Sequence, residues 1–143
     1  MRDAAQFFKV LADEARLKML WLLFNHRELC VCDLMAALEI TQSKASRHLA
    51  TLRHADLVTD RKDGLWSYYK LRPVDGAFAR EELSLLKASL AKTPDSAPLL
   101  AKLHAWLRVK NRGAVCAEGS ACAPAKSKPS KRARKAPRKG AVR

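Results

Sequence analysis

Cys30 and Cys32 stand two positions apart in the run Glu28-Leu29-Cys30-Val31-Cys32-Asp33-Leu34, and a second pair, Cys116 and Cys122, follows far downstream. Thiolates are soft donors, suited to thiophilic ions rather than to hard cations. Three of the four would serve As(III) or Sb(III), and all four would serve Cd(II), Pb(II) or Zn(II) in a tetrahedral cage. An even number of cysteines also permits disulfides, but the start Met1-Arg2-Asp3-Ala4-Ala5 lacks a secretory signature. A reducing, cytoplasmic setting is therefore expected, where close thiols bind soft ions or sense redox state.

The spacing of the first pair constrains the backbone. Side chains two residues apart in an α-helix point about 200° apart around the axis. In extended chain they point the same way. A shared ion therefore demands non-helical backbone at the entry to the third helix, a conflict that could serve as a switch. Free N–H groups at a helix start favour the thiolate, whereas Asp33 opposes it by its charge or acts as a cap. Cys116 and Cys122 lie among Gly, Ala and Ser residues that let them reach back to complete the site, within the chain or across a dimer. Met35 reads as core filler.

Ten residues beyond the first pair comes Thr41-Gln42-Ser43-Lys44-Ala45-Ser46-Arg47-His48-Leu49. Thr41 is a good N-cap, and Ala45, Leu49 and Leu52 make an apolar stripe at helical spacing. The opposite face carries Gln42, Ser43, Lys44, Ser46 and Arg47. Gln and Arg can pair bidentately with adenine and guanine edges in the major groove. Ser43, Ser46 and Lys44 suit phosphate oxygens, and His48 either touches a phosphate or packs.

The elements that position these groups follow from periodicity. Helices are expected at about residues 4–11 and 14–23, the second capped by Asp13, and a short one from about 32 to 38. Glu39-Ile40 makes the turn into the helix at about 42–55, giving a helix-turn-helix pattern. Two β-prone runs then flank Asp63-Gly64, a hairpin signal, so that a wing follows the reader helix. Arg61 and Lys62 precede its turn and can reach the minor groove or flanking phosphates. Of Trp66, Tyr68 and Tyr69, at least one ring should pack on the core. Two more amphipathic helices follow, one at about 76–91 and one carrying Leu99, Leu103, Trp106 and Leu107. They lie outside a complete winged core, so a second copy of the chain is the expected partner for their apolar faces.

The chain divides accordingly into a winged helix-turn-helix DNA-binding domain at 1–92, an added C-terminal dimerisation helix at 93–110, and a disordered basic tail at 111–143 that carries Cys116 and Cys122. Net charge is +14, yet residues 110–143 hold 11 of the 28 Lys and Arg and one acid, Glu118. Both parts suit a polyanion, but an ordered body is needed to read sequence. The tail adds phosphate neutralisation without specificity. No apolar run approaches the roughly 20 residues of a membrane span. An enzyme is not expected: there is no phosphate-cradling Gly-rich loop, Cys-x-x-Cys pair or Ser/His/Asp set.

The run from Glu28 to Leu34, the helix Ser43-Lys44-Ala45-Ser46-Arg47-His48-Leu49 and the wing from Gly64 to Leu71 together resemble the ArsR-type metalloregulators, especially arsenical-resistance repressors. The likeness spans about residues 3–92. It implies a mainly α fold with a β-hairpin wing, homodimeric through terminal helices, that holds double-stranded operator DNA until an As(III) or Sb(III) inducer binds thiolates and releases it. It supports Cys30 and Cys32 as ligands. A third cysteine in closely related arsenic repressors falls where this chain has Met35, a much weaker donor, which leaves Cys116 or Cys122 as the source of the third thiolate. A Cd(II)/Pb(II)-responsive or thiol-redox-responsive repressor of the same family is the alternative reading.

Overall fold

The computed structural model describes residues 1–111. The expectations for Cys116, Cys122 and the basic tail fall on residues 112–143, outside the described residues. In chain order the elements are α1 (Arg2–Leu11), α2 (Glu14–Asn25), β1 (Leu29–Cys30), α3 (Val31–Leu38), α4 (Gln42–His54), β2 (Val58–Asp63), β3 (Trp66–Leu71), α5 (Ala77–Leu90) and α6 (Ser96–Asn111).

Local chemistry sets the helix boundaries. Asp13 Oδ1 accepts from the Arg16 N–H at 3.1 Å, satisfying one of the free donors at the start of α2. Thr41 does the same for α4, accepting from the Lys44 N–H at 3.3 Å. Between α3 and α4 the chain reverses through Glu39, whose left-handed φ of 56° ends α3. A non-glycine residue there carries a steric cost of roughly 1–2 kcal/mol, which the surrounding packing must offset. Glu39 also takes a hydrogen bond from Lys102 of α6 at 3.0 Å.

The core is built around α2. Met19, Leu20, Trp21, Leu22 and Leu23 are all buried, so the second half of that helix is enclosed on every side. Leu34 of α3, Ala45, Leu49 and Leu52 of α4, and Leu57 and Val58 at the start of β2 close around it. Each fully buried leucine contributes about 1.5–3 kcal/mol relative to leaving it in water. Tyr69 packs on this core, as expected for at least one ring of the wing.

The sheet differs from the expected hairpin. It has three antiparallel strands in the order β1-β3-β2. Asp63 still pairs with Trp66, so the two-residue loop is Gly64-Leu65 rather than Asp63-Gly64. Gly64 takes the positive φ (64°) at its first position. The added strand β1 lays Leu29 against Tyr69 and Cys30 against Tyr68. Two residues are too few to show alternation, so sequence pattern could not reveal this strand.

Helix α6 also departs from expectation. Leu99 and Leu103 are buried against α2 and α3 of the same chain, and Trp21 Nε1 donates to the Ser96 carbonyl at 3.0 Å. The face expected to meet a second copy is thus covered intramolecularly. The large apolar side chains left exposed include Phe8 of α1 and Phe78 and Leu85 of α5. Among the described residues, no helix is long and apolar enough to cross a membrane.

If α6 belongs to the core, Leu103→Ala should lower unfolding free energy in urea by about 2–5 kcal/mol. Leu65→Ala, at the exposed wing tip, should stay within about 0.5 kcal/mol. Equal effects from the two would remove α6 from the folded unit.

Candidate functional site

Cys30 is the N-cap of α3, with extended backbone (φ −83°, ψ 166°), while Val31 and Cys32 lie in the first helical turn. The pair therefore straddles the junction of strand and helix. One of the two residues is thus already extended, while the other lies within the helix. Both are buried and form one small cluster, walled by Trp66 and Tyr68 of β3 and Trp106 of α6. Met35 packs against the main core instead, as expected of a filler residue.

Asp33 organises the junction. It is 3% exposed, and its Oδ2 accepts from the Cys30 N–H at 2.9 Å while the Cys30 side chain faces the Asp33 N–H, a reciprocal capping box. Its Oδ1 accepts from Trp106 Nε1 at 2.9 Å and from Lys110 Nζ at 2.8 Å. The Lys110 ammonium also lies 3.2 Å from Cys30 Sγ. A thiol, a carboxylate and an ammonium thus meet in a largely dry pocket closed by α6. Asp33 is legible as a cap from sequence, but Trp106 and Lys110 are not. They stand more than 70 residues away, and periodicity marks Trp106 only as apolar.

These neighbours set the protonation of Cys30. Burial pushes its thiol above the ordinary value and the Asp33 charge adds to this, while Lys110 pulls in the opposite direction. Burial works against the charge of Lys110, yet the Asp33 hydrogen bond and charge outweigh it and raise the ammonium above its ordinary value. The site therefore holds a protonated thiol poised beside the cation that would stabilise its thiolate.

At the front of the run, Glu28 grips Arg61 of β2 in a two-pronged ion pair, with Arg61 Nε donating to Glu28 Oε2 at 2.8 Å. The guanidinium also lies 4.5 Å from the Tyr68 ring centroid. Arg61, expected at DNA, is thus engaged with the thiol-bearing segment, and Lys62 beside it is exposed. The Arg61 hydrogen bond holds the Glu28 carboxyl below its ordinary value.

The reader helix presents its expected face. Gln42, Ser43, Lys44, Ser46 and Arg47 are all exposed on the first turns of α4. Among the described residues, neither Lys44 nor Arg47 is held in an ion pair, so both charges stay available to phosphate or base edges. His48 behaves differently. It is partly buried, with Nδ1 3.8 Å from Asp13 Oδ1 at the start of α2. That placement matches the packing role for His48 better than the phosphate role.

Among the described residues, no three His, Cys, Asp or Glu side chains converge as a metal cage. Cys30 carries a free, buried thiol, whereas the Cys32 sulfur is joined in a disulfide; with that bond reduced the pair offers two soft donors, suited to a thiophilic ion that takes at least one further ligand from elsewhere.

Two outcomes test these electrostatics. In a chain keeping Cys30 as its sole cysteine, Lys110→Ala should raise the thiol pKa further, read from the pH dependence of alkylation; an unchanged profile would detach Lys110 from the thiol. Because the Glu28 pKa is lowered on folding, its contribution to stability is full above the ordinary carboxylate range and lost as pH falls through the depressed value. Glu28→Gln should therefore flatten the acid limb of the melting-temperature profile.

Comparison with known proteins places this geometry. The family profile described as "Bacterial regulatory protein, arsR family" matches residues 13–60. The arsenical resistance operon repressor of Escherichia coli K12 is 54% identical over 74 residues, 52% of this chain and 63% of the repressor. The chain thus spans less than two thirds of that relative's length. The arsenic resistance transcriptional regulator ArsR2 of Pseudomonas putida KT2440 is 39% identical over 116 residues, covering 80% of this chain and 93% of the relative. A cadmium resistance regulatory protein CadC homolog of Staphylococcus aureus is 39% identical over 69 residues, 48% of this chain and 57% of that protein. Among solved structures, HlyU from Vibrio cholerae N16961 superposes with a TM-score of 0.55 at 33% identity, covering 64% of this chain and 95% of that one. The homodimeric winged helix-turn-helix DNA-binding domain Mb0332 from Mycobacterium bovis gives 0.52 at 26% identity, covering 65% and 82%. With 93% of ArsR2 matched at 39% identity, this chain belongs to the ArsR family of bacterial regulatory proteins.

Proposed function

We propose that the protein is a transcriptional repressor that holds operator DNA as a homodimer and lets go when As(III) or Sb(III) is captured by Cys30, Cys32 and a third thiolate from Cys116 or Cys122. The observation that carries the reading is the position of the buried thiol pair. Cys30 is at once a residue of the wing sheet, opposite Tyr68, and the N-cap of the first helix of the helix-turn-helix. A shift at its sulfur can thus reach the wing directly through β3 and the reader helix α4 through α3 and the turn at Glu39. The names of the relatives support the same reading, since two concern arsenic resistance.

The chain's own groups suggest the sequence of events. For three sulfurs to hold a trivalent ion, Cys30 must lose its proton, and the adjacent Lys110 favours that loss. Once the sulfur is engaged, the Lys110 ammonium is no longer needed there and Asp33 alone retains it. The walls of the thiol cluster, Trp66, Tyr68 and Trp106, must then adjust to a larger occupant. Trp66 and Tyr68 lie on the wing strand, and the Glu28–Arg61 pair links that strand's neighbour to the same segment. Coupling between sites of this kind is typically about 1–3 kcal/mol, or roughly 5–150-fold in affinity. The CadC homolog, named for cadmium resistance, supports Cd(II) as the alternative inducer, and four thiolates would suit Pb(II) on chemical grounds as well.

For the dimer, the exposed apolar face of α1 and α5 is the better surface than α6. Phe7, Phe8 and Phe78 form a mutual edge-to-face cluster with centroids 5.7–5.9 Å apart, and Leu85 is 63% exposed. The Mb0332 domain, a homodimer of the same winged fold, supports a paired assembly here as well.

Cys30→Ser and Cys32→Ser should each bind operator as the unaltered chain does yet remain bound when arsenite is added, in a fluorescence-anisotropy titration. Normal release of either variant by arsenite would overturn the thiol mechanism. Phe8→Glu combined with Phe78→Glu should shift sedimentation from dimer to monomer and weaken operator binding, whereas an intact dimer would move the interface elsewhere.

A further inference from the structure

His26, in the turn between α2 and β1, meets His104 of α6. Their Nε2 atoms are 3.2 Å apart, with ring centroids separated by 5.2 Å and planes inclined at 67°. Two imidazoles bound to one Zn(II) at about 2.0–2.1 Å, at a near-tetrahedral angle, place their nitrogens about 3.3–3.4 Å apart. The observed approach, held here by a hydrogen bond between the two ring nitrogens, is close to that separation, and the rings meet nitrogen to nitrogen rather than by stacking. His104 is exposed and His26 partly buried, so one side of the pair opens to water. Burial, with the neighbouring His104 adding to it, lowers the His26 pKa against the opposing charge of Asp33.

We propose that His26 and His104 form a two-imidazole site for a borderline divalent cation, such as Zn(II) or Ni(II), separate from the thiol pair. Imidazole nitrogen suits this class of ion, whereas the trivalent metalloids call for sulfur. Among the described residues no third His, Cys, Asp or Glu joins the pair, so water completes the coordination. An ion held there fastens α6 to the turn that leads into the thiol-bearing strand. Because α6 carries Trp106 and Lys110 onto Asp33, that fastening would steady the lid of the thiol pocket. The site does not depend on which ion the cysteines take, nor on their taking one at all.

The test uses a full-length chain with all four cysteines changed to serine, so that sulfur cannot compete. Zn(II) should bind it and raise its melting temperature, and His26→Gln or His104→Gln in that background should each weaken Zn(II) affinity roughly tenfold or more. Unchanged affinity in both histidine variants, or no binding of Zn(II) to the parent, would overturn the proposal. Should the serine chain not fold, Ni(II) added to the reduced natural chain gives a second readout by NMR. The ring signals of His26 and His104 should broaden while those of His48 and His54 stay sharp. Sharp signals from His26 and His104 would overturn the site in that format as well.

Discussion

A carboxylate withdrawn from water needs donors for its oxygens, and Asp33 finds three: the Cys30 N–H, the Trp106 indole and the Lys110 ammonium. These come from the strand end before α3 and from the last described helix, so one buried side chain ties two distant parts of the fold together. Burying such a charge is unfavourable unless every oxygen is matched, and removing one partner of a buried pair typically costs about 3–5 kcal/mol. The position of α6, the shape of the thiol pocket and the start of α3 thus stand or fall together. A buried pair of this kind is a weak source of net stability.

On the proposed function, that arrangement gives the thiol pair two routes to the DNA-facing elements. One runs through α3 and the turn at Glu39 into the reader helix. The other runs through β1 into the wing, by the pairing of Cys30 with Tyr68 and by the grip of Glu28 on Arg61. The path to the wing is direct, because Cys30 is itself paired with β3, and the path to the reader helix is one short helix and one turn long. Extended backbone at Cys30 also means that one of the two sulfur-bearing residues already lies outside the helix.

Most of the helices were legible in the sequence because their signals are local. Asp13 and Thr41 announce helix starts, Ala45, Leu49 and Leu52 announce a buried stripe, and Gly64 announces a tight turn. The exposed face from Gln42 to Arg47 could be read the same way. What escaped the sequence is non-local. Strand β1 is two residues long and takes its identity from β3. Lys110 reads as one more basic residue until folding sets it beside Asp33, and Leu99 and Leu103 read as a surface for another chain until α6 lays them on α2 and α3. His26 and His104, 78 positions apart, become neighbours by the same closure. Periodicity tells which face of a helix is apolar, but not which partner will cover it.

The Glu28–Arg61 pair has a consequence for how the wing senses ionic conditions. An arginine that approaches phosphate from bulk solvent displaces small cations from the duplex, and this displacement makes binding sensitive to added electrolyte. Arg61 already rests against a carboxylate, so part of its charge is balanced before any duplex arrives, and meeting a phosphate becomes an exchange of one anion for another. With Arg61 at DNA, as the sequence leads one to expect, the wing's hold on the duplex would be governed less by the salt around the protein than by whether Glu28, on the very segment that carries the thiols, keeps or yields its partner.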